Sequence, residues 1–145
     1  MLSFTIEVDI DKTCNQVVGL MRPENTKQWM PGFIKMEHIS GGLWVKGSKY
    51  VWHFKLAVRV YQYTETLIVR NLPEIYSGTL EGPDYFAEFE TVLQSLPNGQ
   101  TRWVSKYKFE STKILSRVLM KIVPSSYKSQ VKRNMIKFKE FAEKQ

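Results

Sequence analysis

The side chains most able to do chemistry lie along one predicted strand, residues 58–71. Steps of two along it place one set of side chains on a single face: Tyr61, Tyr63, Glu65, Leu67 and Val69. A carboxylate among aromatic and aliphatic neighbours is unusual, because burial disfavours its charged form. Glu65 is therefore a candidate to orient the polar end of a ligand or to act as a general base. The alternative is that the alternation slips at a bulge and leaves Glu65 in solvent.

Aromatic residues also recur at alternate positions on two other predicted strands. They are Tyr50, Trp52 and Phe54 on one strand and Trp103, Tyr107 and Phe109 on the other. Rings with a polar atom supply a large apolar area and still form hydrogen bonds, which suits an amphipathic ligand. Ordinary core packing explains any single ring equally well.

Other common kinds of reactive site are disfavoured. His38 and His53 are the only histidines, and neither has a cysteine or carboxylate at a metal-ligand spacing, so we expect no metal and no cofactor. His53 alternates with Trp52 and Phe54 and should face solvent. The chain has no nucleophile-elbow serine and no glycine-rich phosphate loop before a lysine, which disfavours hydrolase and nucleotidase functions.

Length and composition fit a single domain over residues 1–145. The lone cysteine, Cys14, excludes an intrachain disulfide and suits a reducing compartment. The first eleven residues alternate polar and apolar side chains, unlike a signal peptide or membrane anchor, and no later stretch is long enough to span a membrane. These features predict a soluble, cytoplasmic protein.

The net charge of +7 is concentrated at the carboxy terminus. Residues 1–112 hold 12 Lys and Arg against 12 Asp and Glu, whereas residues 113–145 hold 9 against 2. We expect a solvated outer helix face, with Lys128, Lys132 and Lys139 exposed and unpaired, and no nucleic-acid partner. Contact with an anionic membrane surface, or an interaction function based on this helix, stays open and would show salt-sensitive vesicle binding.

The order of elements predicts an α+β fold. An alternating strand precedes a helix at about 14–21, which a capping box of Thr13 and Gln16 begins, and a second short helix at 23–28. Turn residues then divide the chain into strands near 34–40, 48–55, 58–71, 75–82, 85–96 and 101–110. Short connections predict an antiparallel meander.

After residue 110 the apolar spacing becomes helical. A short helix is predicted over 114–122. After Pro124 a long helix follows, with an apolar stripe of Tyr127, Val131, Met135, Phe138 and Ala142. One helix rarely fills the hollow of a bent sheet, so a ligand cavity is expected between them.

Several weak motifs occur in this order along nearly the whole chain. They are the Pro23-Glu24-Asn25 turn leading to Trp29-Met30-Pro31, the strand start Gly47-Ser48-Lys49 and the turn Gly99-Gln100-Thr101. With the element order, they resemble the SRPBCC superfamily of START-like or Bet v 1-like helix-grip proteins, especially its polyketide cyclase and lipid-transport branch. The resemblance implies a curved seven-stranded antiparallel sheet around a long carboxy-terminal helix, with two short helices after strand one. It also implies a cavity for a hydrophobic or amphipathic molecule, and it transfers no catalytic residue.

We therefore expect a binder or carrier of a lipid-like or polyketide-like small molecule, or alternatively a small cyclase or dehydratase that uses Glu65. The expected ligand-binding residues are Trp29, Phe33, Trp52, Tyr61, Tyr63, Glu65, Trp103, Tyr107, Val131, Met135 and Phe138. Trp29, Met30 and Phe33 flank Pro31-Gly32 and are expected to gate the cavity. The alternative is that Trp29 plugs the core beneath the short helices.

Overall fold

Seven strands form one antiparallel sheet in the computed structural model, which describes residues 1–111 and 125–145. The strands are β1 (Leu2–Ile10), β2 (Phe33–Ser40), β3 (Lys49–Leu56), β4 (Arg59–Asn71), β5 (Ile75–Glu81), β6 (Tyr85–Ser95) and β7 (Thr101–Ser111). Their order across the sheet is β1-β7-β6-β5-β4-β3-β2, so β2 to β7 form the predicted meander and β1 pairs with β7. The predicted bounds of β2 to β7 are confirmed to within one residue.

Two short helices follow β1, as expected. Helix α1 (Cys14–Leu20) begins with the predicted capping box, in which Thr13 Oγ1 accepts from the Gln16 backbone N–H and Gln16 Oε1 accepts from the Thr13 N–H. The second predicted helix divides into a 3₁₀ turn (Pro23–Asn25) and helix α2 (Thr26–Trp29). The prediction of one continuous helix over residues 23–28 is therefore wrong.

The long carboxy-terminal helix, α3 (Ser125–Glu143), packs its apolar stripe towards the sheet. Met135, Phe138 and Ala142 are buried, whereas Ile136 is 36% exposed. The helix predicted over 114–122 lies outside the described residues. Within the described ranges, no helix is both long enough and apolar enough to cross a membrane.

Lys139 departs from the expectation that the lysines of α3 are unpaired. Its Nζ donates to the backbone carbonyl of Asp9 at 2.6 Å and to Glu143 Oε2 at 2.8 Å. The same carboxylate accepts from the Asp11 N–H at 2.8 Å. Lys139 therefore links α3 to the end of β1, while Lys128 and Lys132 are exposed as predicted.

Two apolar clusters hold the helices and the sheet together. The first contains Ile10, Val17, Leu93, Phe138 and Ala142, with Trp29, Leu72 and Trp103 packed against it. The second contains Ala87 and Phe109, with Leu80, Tyr107 and Tyr127 packed against it. Because side chains from both clusters face the same hollow, the cavity lies between them.

A bulge in β4 changes which side chains face that hollow. Leu67 pairs with Gly78 and Val69 pairs with Ser77, so Ile68 is an extra residue without a direct partner. The placement of Val69 on the face of Glu65 is therefore wrong, because the alternation shifts by one residue at Ile68. Beyond the bulge, Arg70 and Leu72 line the cavity instead.

Candidate functional site

A cavity of about 170 Å³ lies between the concave face of the sheet and the helices. Its walls come from the two short helical turns, from β3 to β7 and from α3. The lining residues are Met21, Pro23, Thr26, Trp29, Met30, Trp52, Tyr63, Glu65, Arg70, Leu72, Tyr76, Leu80, Phe89, Thr91, Trp103, Tyr107 and Phe138. Since a dry cavity of about 150 Å³ can hold benzene, this volume accommodates at least one ring, and a larger ligand can extend past Arg70 and Pro23 towards the surface.

Glu65 is the only carboxylate among the described lining residues, and it is 2% exposed. Its Oε1 accepts from the Trp52 indole Nε1–H at 2.9 Å, and its Oε2 accepts from the Tyr76 hydroxyl. Burial raises the pKa of Glu65, and the two hydrogen bonds and the nearby Arg70 charge oppose that rise. The bulge lies beyond Glu65 in the strand, so the slip that would have exposed Glu65 does not occur.

Two tyrosines of the lining keep their hydroxyl protons. Burial, with a smaller contribution from the Glu65 charge, raises the pKa of Tyr107 to about 12 and the pKa of Tyr63 well above 10. In the part of the chain that the structure describes, neither hydroxyl has a hydrogen-bond partner. A ligand oxygen could therefore accept from either one.

Trp103 contributes an unsatisfied donor beside the same cavity. Its Nε1 is buried and has no hydrogen-bond partner in residues 1–111 and 125–145, and its ring packs edge-on against Phe138 with centroids 5.4 Å apart. By contrast, the buried hydroxyls of Thr91 and Ser105 satisfy each other at 2.8 Å. Leaving a buried donor without a hydrogen bond costs free energy. The cavity wall at Trp103 therefore carries a polar N–H group that has no partner among the described residues.

The structure brings together seven of the eleven expected binding residues: Trp29, Trp52, Tyr63, Glu65, Trp103, Tyr107 and Phe138. The other four lie outside the lining. Phe33 packs edge-on against Trp52 with centroids 6.0 Å apart, and Tyr61 is 37% exposed near the end of the β3–β4 hairpin. Met135 is 2% exposed in the packed interior, and Val131 is half-buried one turn earlier on α3.

Several lining residues were absent from the sequence prediction. Tyr76 and Leu80 on β5, and Phe89 and Thr91 on β6, follow the same two-residue alternation and could have been found by extending it to those strands. Arg70 could not, because the bulge reverses the alternation before it.

The segment expected to act as a gate, from Trp29 to Phe33, is held by ring packing and by a backbone hydrogen bond. Trp29 lines the cavity and packs edge-on against Phe138 with centroids 5.3 Å apart. The carbonyl of Gly32 accepts from the Lys55 N–H at 2.7 Å, and a Cβ at Gly32 would lie 1.9 Å from the Lys55 carbonyl oxygen. The gate expected at Trp29, Met30 and Phe33 stays a prediction, and the contact between Gly32 and Lys55 anchors one end of this segment to β3.

The histidines lie apart from the cavity lining. His53 Nε2 contacts Glu37 Oε1 at 2.6 Å, and its side chain is 17% exposed, so it is less open to solvent than expected. His38 Nε2 lies 3.1 Å from the Ser40 carbonyl. Among the described residues, no group of three His, Cys, Asp or Glu side chains is placed to hold a metal ion.

Comparison with known proteins identifies the fold. The chain resembles a conserved protein from Geobacillus kaustophilus, with a TM-score of 0.78 and 16% identity over 99% of this chain and 96% of that one. It also resembles Ara h 8.0201 (TM-score 0.79, 12% identity, 99% and 98% covered) and the Zhui aromatase/cyclase from Streptomyces sp. R1128 (TM-score 0.77, 13% identity, 97% and 93% covered). No family model and no curated protein matches the sequence.

These similarities show that the chain has the Bet v 1-like helix-grip fold, which confirms the predicted fold class and the superfamily resemblance at the level of the fold. Function does not follow from a fold shared at this level of identity.

Proposed function

We propose that this protein binds or carries a hydrophobic or amphipathic small molecule, lipid-like or polyketide-like, in the cavity between the sheet and α3. The observation that carries the proposal is the cavity itself, whose largely aromatic wall surrounds one buried carboxyl group, that of Glu65. Apolar burial would supply affinity. Glu65 and the protonated hydroxyls of Tyr63 and Tyr107 would supply selectivity through hydrogen bonds.

A neutral fluorescent ring compound, 1-aminoanthracene, tests this proposal. We expect saturable binding of one molecule per chain to the wild-type protein. Leu80→Trp, which fills the lining from β5, should abolish binding, because Leu80 faces the cavity. The matched control is Val60→Trp, since Val60 is 65% exposed on β4 and the added ring meets solvent.

The outcome that would overturn the proposal is absence of saturable binding, or binding that Leu80→Trp leaves unchanged in a cooperatively folded variant. Native mass spectrometry of the protein purified from its own host then identifies the ligand class, because a retained molecule adds its mass to that of the chain.

A small cyclase or dehydratase is the second candidate, and the buried Glu65 favours it. A carboxyl group with a raised pKa keeps its proton to a higher pH and can act as a general acid while the aromatic wall folds a flexible substrate. Glu65→Gln should abolish the pH-dependent rate on a polyketide-like substrate and leave 1-aminoanthracene binding intact. A carrier would show no such rate in either form.

A cytoplasmic location belongs to the same proposal, because Cys14 is unpaired and needs no oxidising compartment. The exposed lysines of α3 then act mainly as a solvated face. Binding to anionic vesicles that falls with added salt would instead favour contact with a membrane surface.

A further inference from the structure

Arg70 stands where the cavity meets the protein surface. It lines the cavity and also a shallow surface groove formed by Gly19, Arg22, Pro23, Glu24, Asn25, Trp44 and Arg70. Pro23 is the other residue shared by the two spaces. A molecule that extends from the cavity into the groove would therefore pass beside the Arg70 guanidinium group.

Aromatic rings and one carbonyl hold this guanidinium group. Its central carbon lies 4.9 Å from the ring centroid of Trp44 and 4.4 Å from that of Tyr76. One N–H donates to the Met21 carbonyl at 3.2 Å. An arginine has five N–H donors, and within the described part of the chain Arg70 forms no ion pair. A partly buried charge without an ion-pair partner retains donors for an anion.

Glu65, the acidic residue that lines the same cavity, is not the ion-pair partner of Arg70. Both carboxyl oxygens of Glu65 already accept hydrogen bonds, from Trp52 and Tyr76 respectively. Tyr76 thus stands between the two charges, with its hydroxyl bound to Glu65 and its ring against Arg70. The remaining donors of Arg70 are left for a group outside this network.

The wall beside Arg70 is fixed at an energetic cost. Trp44 has φ of +54°, a left-handed conformation that is unfavourable for a bulky residue and that tends to occur at functional sites. Its backbone N–H donates to the Tyr50 hydroxyl at 2.5 Å, and its ring stacks on the fully buried Tyr50 with centroids 4.2 Å apart. The chain thus holds an aromatic surface in place against a cation.

The net charge of the groove residues is complementary to a ligand with one negative charge. Arg22 and Arg70 contribute two positive charges and Glu24 contributes one negative charge, which leaves one positive charge in excess. Arginine binds planar carboxylates through paired N–H donors. We propose that the cavity ligand is an amphipathic organic carboxylate, with its apolar part in the cavity and its carboxylate at Arg70 and Arg22. This inference rests on the proposed binding function and narrows its ligand class.

Displacement of 1-aminoanthracene by octanoate and by octan-1-ol tests the proposal at pH 7.5. The two compounds share a chain and differ in charge, and a purely apolar cavity prefers the alcohol. We expect octanoate to displace the probe from the wild-type protein at a concentration at least tenfold lower than octan-1-ol does. Added salt should reduce this preference, because it screens the partly exposed groove.

Variants show which residues cause the preference for octanoate over octan-1-ol. Arg70→Gln should remove this preference, and Arg22→Gln, at an exposed position, should reduce it about threefold. The matched control is Arg59→Gln, because Arg59 lies exposed at the other end of β4. This control should keep the full preference.

Equal displacement of the probe by both compounds from the wild-type protein would overturn the carboxylate assignment, and this comparison needs no variant. Persistence of the preference in Arg70→Gln would overturn it as well. In both cases the probe still binds, so the proposed binding function survives. Failure of the probe to bind would instead remove the binding function and this inference with it.

Discussion

Trp52 donates its indole N–H to Glu65 Oε1 over 2.9 Å, diagonally across strands β3 and β4. In the ladder Trp52 stands opposite Tyr63, and Glu65 stands opposite Tyr50, so the two residues are neighbours but not direct partners. The diagonal contact is long enough to need a large side chain, and the indole provides both the reach and the donor. It fixes the carboxyl group in the cavity wall.

Replacing Trp52 with Phe should destabilise the protein through this hydrogen bond. The change removes the donor and leaves a buried carboxyl group with one partner fewer, which costs about 1–3 kcal/mol beyond the loss of ring volume. Trp103→Phe is the matched control, since its Nε1 has no partner among the described residues. Urea unfolding of both variants measures the difference. Equal losses would contradict a stabilising role for the Trp52 bond.

Glu65→Gln should gain stability relative to the wild type as the pH rises. Burial raises the pKa of Glu65 in the folded chain, so between the unfolded pKa and the raised folded pKa the native state holds the extra proton and wild-type stability falls with pH. Glutamine does not titrate. The difference in unfolding free energy should therefore grow above about pH 4.5 and level off once the folded carboxyl group has ionised. A difference independent of pH would contradict the raised pKa.

Lys139→Gln should weaken the attachment of α3 to the end of β1. The change removes contacts to the Asp9 carbonyl and to Glu143, and because the side chain is partly exposed the loss should be no more than about 1 kcal/mol. Lys139 and the Asp11 N–H lower the pKa of Glu143, so this contribution is present above the ordinary glutamate pKa and fades as the pH falls through the folded value.

The control for this prediction is Lys128→Gln, which lies exposed on the same helix and should stay within about 0.5 kcal/mol of wild type. Thermal unfolding at pH 7 and at pH 3 checks both variants. A loss in Lys139→Gln that is as large at pH 3 as at pH 7 would argue against the role of Glu143.

Met135→Ala should lower the free energy of unfolding by about 2–5 kcal/mol. Met135 is 2% exposed and lies outside the cavity lining, so its truncation opens a new void in packed structure. Ile136→Ala is the neighbouring control, because Ile136 is 36% exposed and should change stability little. Chemical denaturation measures both, and a Met135 loss below 1 kcal/mol would show that the surrounding packing collapses to fill the void.

Trp29→Ala separates gating from plugging. Trp29 is half-buried against Phe138, so a gate predicts faster release of 1-aminoanthracene with a modest loss of melting temperature. A plug predicts a loss of about 3–5 kcal/mol, as for a fully buried tryptophan. Stopped-flow release and thermal unfolding of the same variant distinguish the two. Unchanged release together with a large melting loss would refute the gate.

Much of the fold could be predicted because its signals are local. Alternation marked β1, breakers bounded the other strands, and the turn at Asn98-Gly99 was placed correctly because Gly99 takes φ of +81°, which favours glycine. The division of the second helix escaped prediction, since a 3₁₀ turn and an α-helical turn have nearly the same sequence preferences. The helix after β7 is an expectation that lies outside the described residues.

Only part of the site could be predicted. Strand alternation assigns some of its residues, whereas others depend on the position within a strand or on a bulge. Glu65, Tyr63 and Trp52 were found because strand periodicity alone assigns their face. Phe33 was expected from the hinge before the sheet, and Tyr61 from the alternation along β4. Phe33 begins the edge strand β2 and Tyr61 lies near the first residue of β4, and both lie outside the lining. Arg70 escaped detection because a bulge is an irregularity of backbone pairing with no strong sequence signature.

The bulge at Ile68 also determines how far apart in the sequence two residues of the same cavity wall lie. Glu65 and Arg70 are five positions apart, and in a regular strand an odd separation sends two side chains to opposite faces. One inserted residue brings an acid and a base into the same wall. Related chains with this wall should therefore carry the pair either five apart with a bulge or four apart without one. Deleting Ile68 is accordingly the length change that β4 should accommodate most readily.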